Sequence, residues 1–259
     1  MRVVGLFCLF LITCFNVHAS EKSYKITIVT EDVPPMQIVQ EGKVVGGITV
    51  EIVSAIFKQA NLSPEFLVLP WPRAYQQALT EANTFIFSMV RNSEREDSFI
   101  WLNKIFTLKA NITALKSRND ISLTRTTDFF QYMIGVSRGD FGDVYMRSIG
   151  LKEGENLYLT IKHENMWKML FSGRVDAVFT NNVTAKAEII SAGLVPELAH
   201  SIYSIEDVSS DLYLAANKQT DPQLIELLKK SYNEIKTSGE LDEIIMKWRS
   251  RAKLSAEIE

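Results

Sequence analysis

With 259 residues and a formal net charge of −3, the chain is long enough for two lobes and carries no basic excess, which argues against a nucleic-acid partner. Its 46% hydrophobic and 23% charged residues are those of an ordinary globular protein, and no low-complexity run or Gly/Ser/Pro-rich linker interrupts them. The three histidines, His18, His163 and His200, are scattered, so no His-based metal site is expected, and no motif points to a cofactor.

The N-terminus reads Met1-Arg2, an apolar run from Val3 to Val17, then His18-Ala19 before Ser20. A positive start, a short apolar core and a small residue at the end predict a secretory signal peptide over residues 1–19. That core is too short for a membrane span, and nothing later approaches the ~20 apolar residues a span needs, so the mature chain is expected not to span a membrane. Both cysteines, Cys8 and Cys14, lie inside the signal, leaving none for a disulfide afterwards. Acylation at Cys14 as a lipoprotein is the rival reading, but Leu11-Ile12-Thr13 lacks the usual small residue before it.

Tyr24 to Thr30 alternates and is rich in Ile and Val, which predicts a strand; Pro34-Pro35 must then leave the sheet. A helix is expected from about Thr49 to Ala60, with Ile52, Ala55 and Ile56 at helical spacing. Phe66 to Leu69 reads as a strand, Trp71-Pro72 as the start of a second helix, and Phe85 to Met89 as a third, interior strand. Phe106 to Lys116 is a long β-type run, and Ser117 to Asp120 is a polar break.

The pattern then restarts. Tyr132 to Val136 is a predicted strand, Arg138-Gly139-Asp140 a turn, and about Phe141 to Ile149 a helix. Leu157 to Ile161 (strand), His163 to Ser172 (helix) and Val175 to Phe179 (strand) follow, with Asn181 or Asn182 able to cap a helix through Ala192. Asp211 to Ala216 is a last strand before two helices. One has Asp221 as N-cap and Leu224, Leu227, Leu228 and Ile235 on one face; the other carries Leu241, Ile244, Ile245 and Trp248. Two rounds of β-α-β alternation imply an α/β fold of two similar lobes, each a mostly parallel sheet flanked by helices.

Arg91 and Arg95 directly follow the third strand. In open α/β sheets ligands sit beyond the carboxyl ends of strands, and Arg suits bidentate capture of a carboxylate. The alternative is that both are solvated loop charges pairing with Glu94, Glu96 or Asp97. Trp71 is either a buried helix-start aromatic or a stacking surface. Arg138 is either a surface charge or a cleft cation, and Asn181 is an N-cap, a ligand contact or both.

In series, several segments resemble one family. They are Val45-Gly46-Gly47-Ile48, Ser93-Glu94-Arg95-Glu96 ahead of Phe99-Ile100-Trp101, Gly135-Val136-Ser137-Arg138-Gly139, Gly173-Arg174-Val175-Asp176-Ala177, and the closing Asp221-Pro222 and Lys247-Trp248. The family is the periplasmic solute-binding proteins of the polar amino-acid ABC transporter type. The resemblance implies a two-lobed flytrap fold with two crossover strands as the hinge. Lobe I would be residues 20–112 plus 213–259, and lobe II residues 113–212. It implies a monomeric, non-catalytic periplasmic receptor for a small carboxylate-bearing solute, with an ABC permease or membrane sensor as partner and no cofactor.

By the same resemblance Arg95 clamps the carboxylate, Ser88 contributes a hydroxyl, Trp71 stacks, and Arg138-Gly139-Asp140 offer backbone amides. Arg91 is unmatched in the family pattern. Asn181 stands where the family usually has an aspartate facing an ammonium. With Arg91, Arg95 and Arg138 facing the cleft, the expected balance is cationic, favouring a carboxylate-rich, acidic or non-amino ligand. The other reading is a cyclohexadienyl (prephenate- or arogenate-type) dehydratase on the same scaffold, with Glu31, Asp32, Glu94 or Asp140 as the acid.

Overall fold

The Ile- and Val-rich run after Tyr24 pairs as β1 (Thr27–Thr30) in the computed structural model, which describes residues 24–257. The expected signal peptide over residues 1–19 lies outside them. Beyond Pro34-Pro35 a short hairpin forms, β2 (Ile38–Gln40) and β3 (Lys43–Gly46), followed by α1 (Ile48–Gln59). The hairpin was not anticipated: strands of three and four residues with half-exposed faces are too short to show a period. Gly47 joins it to α1 at φ 125°, where a Cβ would stand 2.2 Å from the Met36 carbonyl oxygen, so only glycine fits.

The chain continues through β4 (Glu65–Val68), α2 (Trp71–Thr80) and β5 (Thr84–Val90). Both β4 and β5 run parallel to β1. The predicted 106–116 strand is longer than expected: β6 spans Phe99–Leu115. The second round gives β7 (Ile134–Ser137), α3 (Phe141–Ser148), β8 (Leu157–Thr160), α4 (His163–Phe171), β9 (Ala177–Asn181) and α5 (Ala185–Ser191). Here β8 and β9 run parallel to β7. The second long strand, β10, covers Ala199–Asn217, where only its last third had been expected. Polar residues such as Ser201, Ser204 and Ser209 break the apolar alternation in the part that was missed.

The strand order is β4-β1-β5-β10-β6-β9-β7-β8. The outer strands on each side are parallel, while β6 and β10 pair antiparallel with each other along both halves. Their register slips between Ile205, opposite Ala110, and Ser209, opposite Lys109. Residues 206–208 therefore have no partner there, and the ladder is locally interrupted between the two halves.

Helix α1 buries Ile52, Val53, Ile56 and Phe57, and Phe57 meets Phe85 of β5 edge-to-face at 5.3 Å. Burying such side chains stabilises by about 1.5–3 kcal/mol each. A separate apolar cluster of Phe129, Ile134, Val136, Met146 and Leu157 fills the second half. The closing helices α6 (Pro222–Ser238) and α7 (Glu240–Glu257) pack on the first half. Asp221 caps α6 by accepting from the Gln223 amide. The expected face of α6 needs one correction: Leu224, Leu228 and Ile235 are buried, but Leu227 is exposed.

Candidate functional site

The carboxyl end of β5 is built around a local departure from strand geometry. Phe87 and Ser88 together stand opposite the single residue Leu214 of β10, and Ser88 has φ 57°. A non-glycine residue in the left-handed region costs on the order of 1 kcal/mol and marks a position the surroundings over-determine. Those surroundings are polar. The Ser88 hydroxyl donates to Thr49 Oγ1 at 2.9 Å, and the Gln37 amide donates both to Ser88 Oγ and to Thr49 Oγ1. Thr49, fully buried at the start of α1, passes its own proton to the Met36 carbonyl at 3.0 Å. Having spent its proton, the Ser88 hydroxyl can offer an incoming group only a lone pair.

Five residues beyond β5, Arg95 folds back so that its Nη1 donates to the Val90 carbonyl at 3.1 Å. Its guanidinium lies 5.7 Å from the Trp71 ring centre and 5.6 Å from that of Tyr75, one helical turn further along α2. Among the described residues it has no carboxylate partner. Arg91 differs. It forms a two-pronged pair with Glu96, one arm at 2.7 Å, which holds the Glu96 carboxyl below the usual range. Its guanidinium rests against Trp101 and Tyr213.

On the second half, Arg138 pairs with Glu153 at 2.5 Å, and Arg147 reaches the same carboxylate at 3.0 Å. The amides after β7 are occupied: Arg138 N donates to the Thr160 carbonyl at 2.7 Å and Gly139 N to Asp143 Oδ2 at 2.9 Å. Asp140 caps α3 through the Asp143 amide at 3.1 Å. The cationic balance expected of this cleft is therefore not met, because two of its three arginines are neutralised by glutamates.

Asn181, at the end of β9, takes the amides of Val183 and Thr184 on its Oδ1, both at 2.9 Å. Its Nδ2 donates to Thr184 Oγ1 at 2.7 Å, which donates in turn to Glu188 Oε1 at 2.6 Å. The other Glu188 oxygen receives Trp167 Nε1 at 2.9 Å.

Val90, whose carbonyl orients Arg95, also lines a cavity of about 160 Å³ beside the crossover strands. Leu108, Ala110 and Ser210 form its strand side; Asp140, Phe141, His163, Asn181 and Glu188 face it from the second half. Burial pushes the Asp140 carboxyl above its ordinary value, opposed first by the Asp143 amide, then by His163 at 3.5 Å and the Gly142 amide. Burial also raises Glu31, just past β1. Of the residues singled out in the sequence, Arg95, Trp71 and Ser88 gather near the end of β5, and Asn181 lines the cavity. Arg91 and Arg138 sit in their ion pairs. Tyr75, Phe141, His163 and Glu188 were missed. Tyr75 was readable from its i,i+4 spacing to Trp71; the others have no local signal.

The sequence matches the bacterial extracellular solute-binding proteins, family 3, over residues 26–251. The chain belongs to that family. No curated protein matches this solute-binding chain in sequence. Among solved structures it is similar to a histidine kinase sensor domain resembling periplasmic binding proteins. The identity is 16%, covering 86% of this chain and 95% of that one, with a TM-score of 0.70. It is also similar to a mutant of ArgBP from T. maritima, at 23% identity over 88% and 95% of the two chains and a TM-score of 0.65. A third is the arginine-, lysine-, histidine-binding protein ArtJ from Geobacillus stearothermophilus (19% identity, 87% and 95% coverage, TM-score 0.67). At these identities the likeness carries the two-lobed fold. Among the described residues no helix of this solute-binding protein is long and apolar enough to cross a membrane, and no three His, Cys, Asp or Glu side chains converge to hold a metal.

Proposed function

We propose that the protein is a periplasmic receptor for a small carboxylate-bearing solute, a polar amino acid or a relative of one. It would bind this solute between a lobe of residues 20–112 plus 213–259 and a lobe of residues 113–212, then hand it to an ABC importer or a membrane sensor. The observation that carries the reading is Arg95, held by the Val90 carbonyl and two aromatic rings, with no carboxylate partner among the described residues. A fixed, half-buried guanidinium without a carboxylate of its own is a donor well suited to a carboxylate. Trp71 and Tyr75 supply apolar surface beside it, and Ser88 a hydrogen-bond acceptor. A solute touching this end of β5 and the cavity wall of the other lobe at once has more contacts in a closed form, so it shifts the population toward closure.

The test is a thermal-shift and calorimetric screen against amino acids and dicarboxylates. A solute at 100 times its Kd adds about 2.7 kcal/mol, roughly 5–10 °C at this size. Arg95→Ala should lose about 3 kcal/mol of binding or more; near-native affinity in that variant refutes the clamp.

The dehydratase remains as a second reading, drawing on Glu31 and Asp140. Burial raises both carboxyls, the direction a general acid needs. Release of phenylpyruvate from prephenate, lost in Glu31→Gln or Asp140→Asn, would support it, and absence of turnover dismisses it.

A further inference from the structure

The loop that carries Arg95 from β5 to β6 is covered by little. Of residues 91–97 only Arg95 is half-buried, and the rest are exposed. A segment with few apolar contacts opens readily, so order here has to come from hydrogen bonds and stacking. Within the loop the Arg95 amide donates to the Asn92 carbonyl at 3.2 Å and to Asn92 Oδ1 at 3.0 Å, and the Ser98 amide donates to the Arg95 carbonyl at 3.0 Å. These bonds shape the turns without tying them to the sheet.

The tie to the sheet runs through Glu96. Trp101 Nε1, on β6, donates to the Glu96 carbonyl at 3.2 Å, and Arg91 grips the Glu96 carboxylate with two arms. The Arg91 guanidinium lies 5.5 Å from the Trp101 ring centre and 5.8 Å from that of Tyr213 on β10. Beneath the loop the rings form one row, Trp71–Tyr75–Phe99–Trp101–Tyr213, with successive centres 6.1, 5.3, 6.0 and 5.7 Å apart. Arg95 stands on the Trp71 end of this row and Arg91 on the Tyr213 end, so the loop is pinned to α2 on one side and to the crossover strands on the other. Two of the three Arg91 guanidinium nitrogens are turned to Glu96, and a solute carboxylate would have to displace that acid to gain the same grip.

Resting on the receptor reading above, we propose that Arg91 is a positioning residue: with Glu96 and Trp101 it braces the loop and so presets the Arg95 guanidinium for the solute carboxylate, without touching the solute itself. A brace and a direct contact differ in the sign of one effect. If Arg91 bound the solute, removing Glu96 would free it and take a negative charge from beside a bound anion, and affinity would rise. If Arg91 braces the loop, removing Glu96 leaves Arg95 to be ordered when the solute arrives, and affinity falls.

Calorimetric titration with L-glutamine, L-glutamate, L-arginine and succinate tests this in the wild type, Arg91→Ala, Glu96→Ala and the double variant. Each single change should weaken whichever probe binds the wild type by about 2–10-fold, the range for one long side chain ordered on binding. The double variant should lose no more than either single one, because both remove the same brace. Hydrogen exchange of the 92–98 amides, measured without solute, should be faster in every variant while the melting temperature stays within a degree or two of the wild type, about what an exposed substitution moves. Tighter binding in Glu96→Ala makes Arg91 a direct contact and overturns the brace. Unchanged exchange, or a lowered melting temperature with affinity retained, overturns it too and leaves the receptor reading standing. Binding of none of the probes by the wild type overturns the receptor reading, and the positioning role with it.

Discussion

The polar hub beneath the site offers the most direct stability test. Thr49 is completely buried, and its hydroxyl makes three hydrogen bonds: it donates to Met36 O at 3.0 Å and accepts from Gln37 at 3.2 Å and Ser88 at 2.9 Å. Thr49→Val replaces the hydroxyl with a methyl of nearly the same size, so packing changes little while all three bonds vanish. The Met36 carbonyl keeps the Thr49 amide at 3.2 Å. The cost therefore falls on Gln37, which is 2% exposed and left with one donor hydrogen unpaired, and on the Ser88 proton. One to two buried polar groups without partners, at about 1–3 kcal/mol each, put the loss near 2–4 kcal/mol. At this chain length that lowers the melting temperature by roughly 5–15 °C.

Thr49→Ser keeps the hydroxyl and should recover most of the difference. Circular-dichroism melts and urea titrations of the three proteins measure it. A loss in Thr49→Val below about 0.5 kcal/mol, within the range of a bland surface change, would show that the hub is not coupled to stability. The same variant frees Ser88 to turn, so binding of any solute found in the screen should weaken as well.

Three other outcomes follow from particular contacts. Gly47→Ala forces a Cβ within 2.2 Å of the Met36 carbonyl oxygen at φ 125°, and should cost about 3 kcal/mol or more in a urea titration. Thr184, not Asn181, stands at the N-cap of α5; Asn181→Ala instead removes the oxygen that holds the Val183 and Thr184 amides in the turn before it and should cost about 1–2 kcal/mol, whereas Asn181→Asp keeps that turn but sets a lone pair against Thr184 Oγ1 and a charge near Glu188, so its melting temperature should also fall. The Asp128 carboxyl is held down to about 2, first by the Thr124 amide and further by the Thr124 hydroxyl and Arg125. A depressed folded-state pKa stabilises above the unfolded carboxylate value near 4, and that share is lost as pH falls toward 2. Melting curves between pH 5 and 2 should therefore be flatter in Asp128→Asn than in the wild type.

The alternation of strands and helices was legible because burial on one face imposes a period. α1, α2, α4 and the interior strand β5 lie within a residue or two of where their apolar positions put them. The crossover strands were half legible for a physical reason. Where β10 leaves the interior, as at Ser201 and Ser204, backbone pairing alone maintains the strand and the side chains carry no period, and at the 206–208 slip the pairing itself lapses. In the site, Arg95 and Trp71 could be brought together from sequence because each abuts a strand end. The partner of Arg91 stood five residues away and was among the alternatives, but Glu153 reaches Arg138 only after a helix and a turn have folded back.

Asn181 illustrates how a single substitution is fixed by what lies behind it. Read alone, an amide in place of a carboxylate removes a charge from the cleft. In the fold it also completes a directed chain: Asn181 donates to Thr184, Thr184 donates to Glu188, and Trp167 donates to the far oxygen of Glu188. An aspartate has no hydrogen to start that chain, and the Thr184 hydroxyl has only one proton, already given to Glu188. The amide at 181 and the carboxylate at 188 are thus one choice made across two elements. The charge at 188, fixed in place by the Thr184 hydroxyl and the Trp167 indole, still lines the cavity together with Asp140, a residue whose sequence neighbourhood marks it only as the cap of a helix.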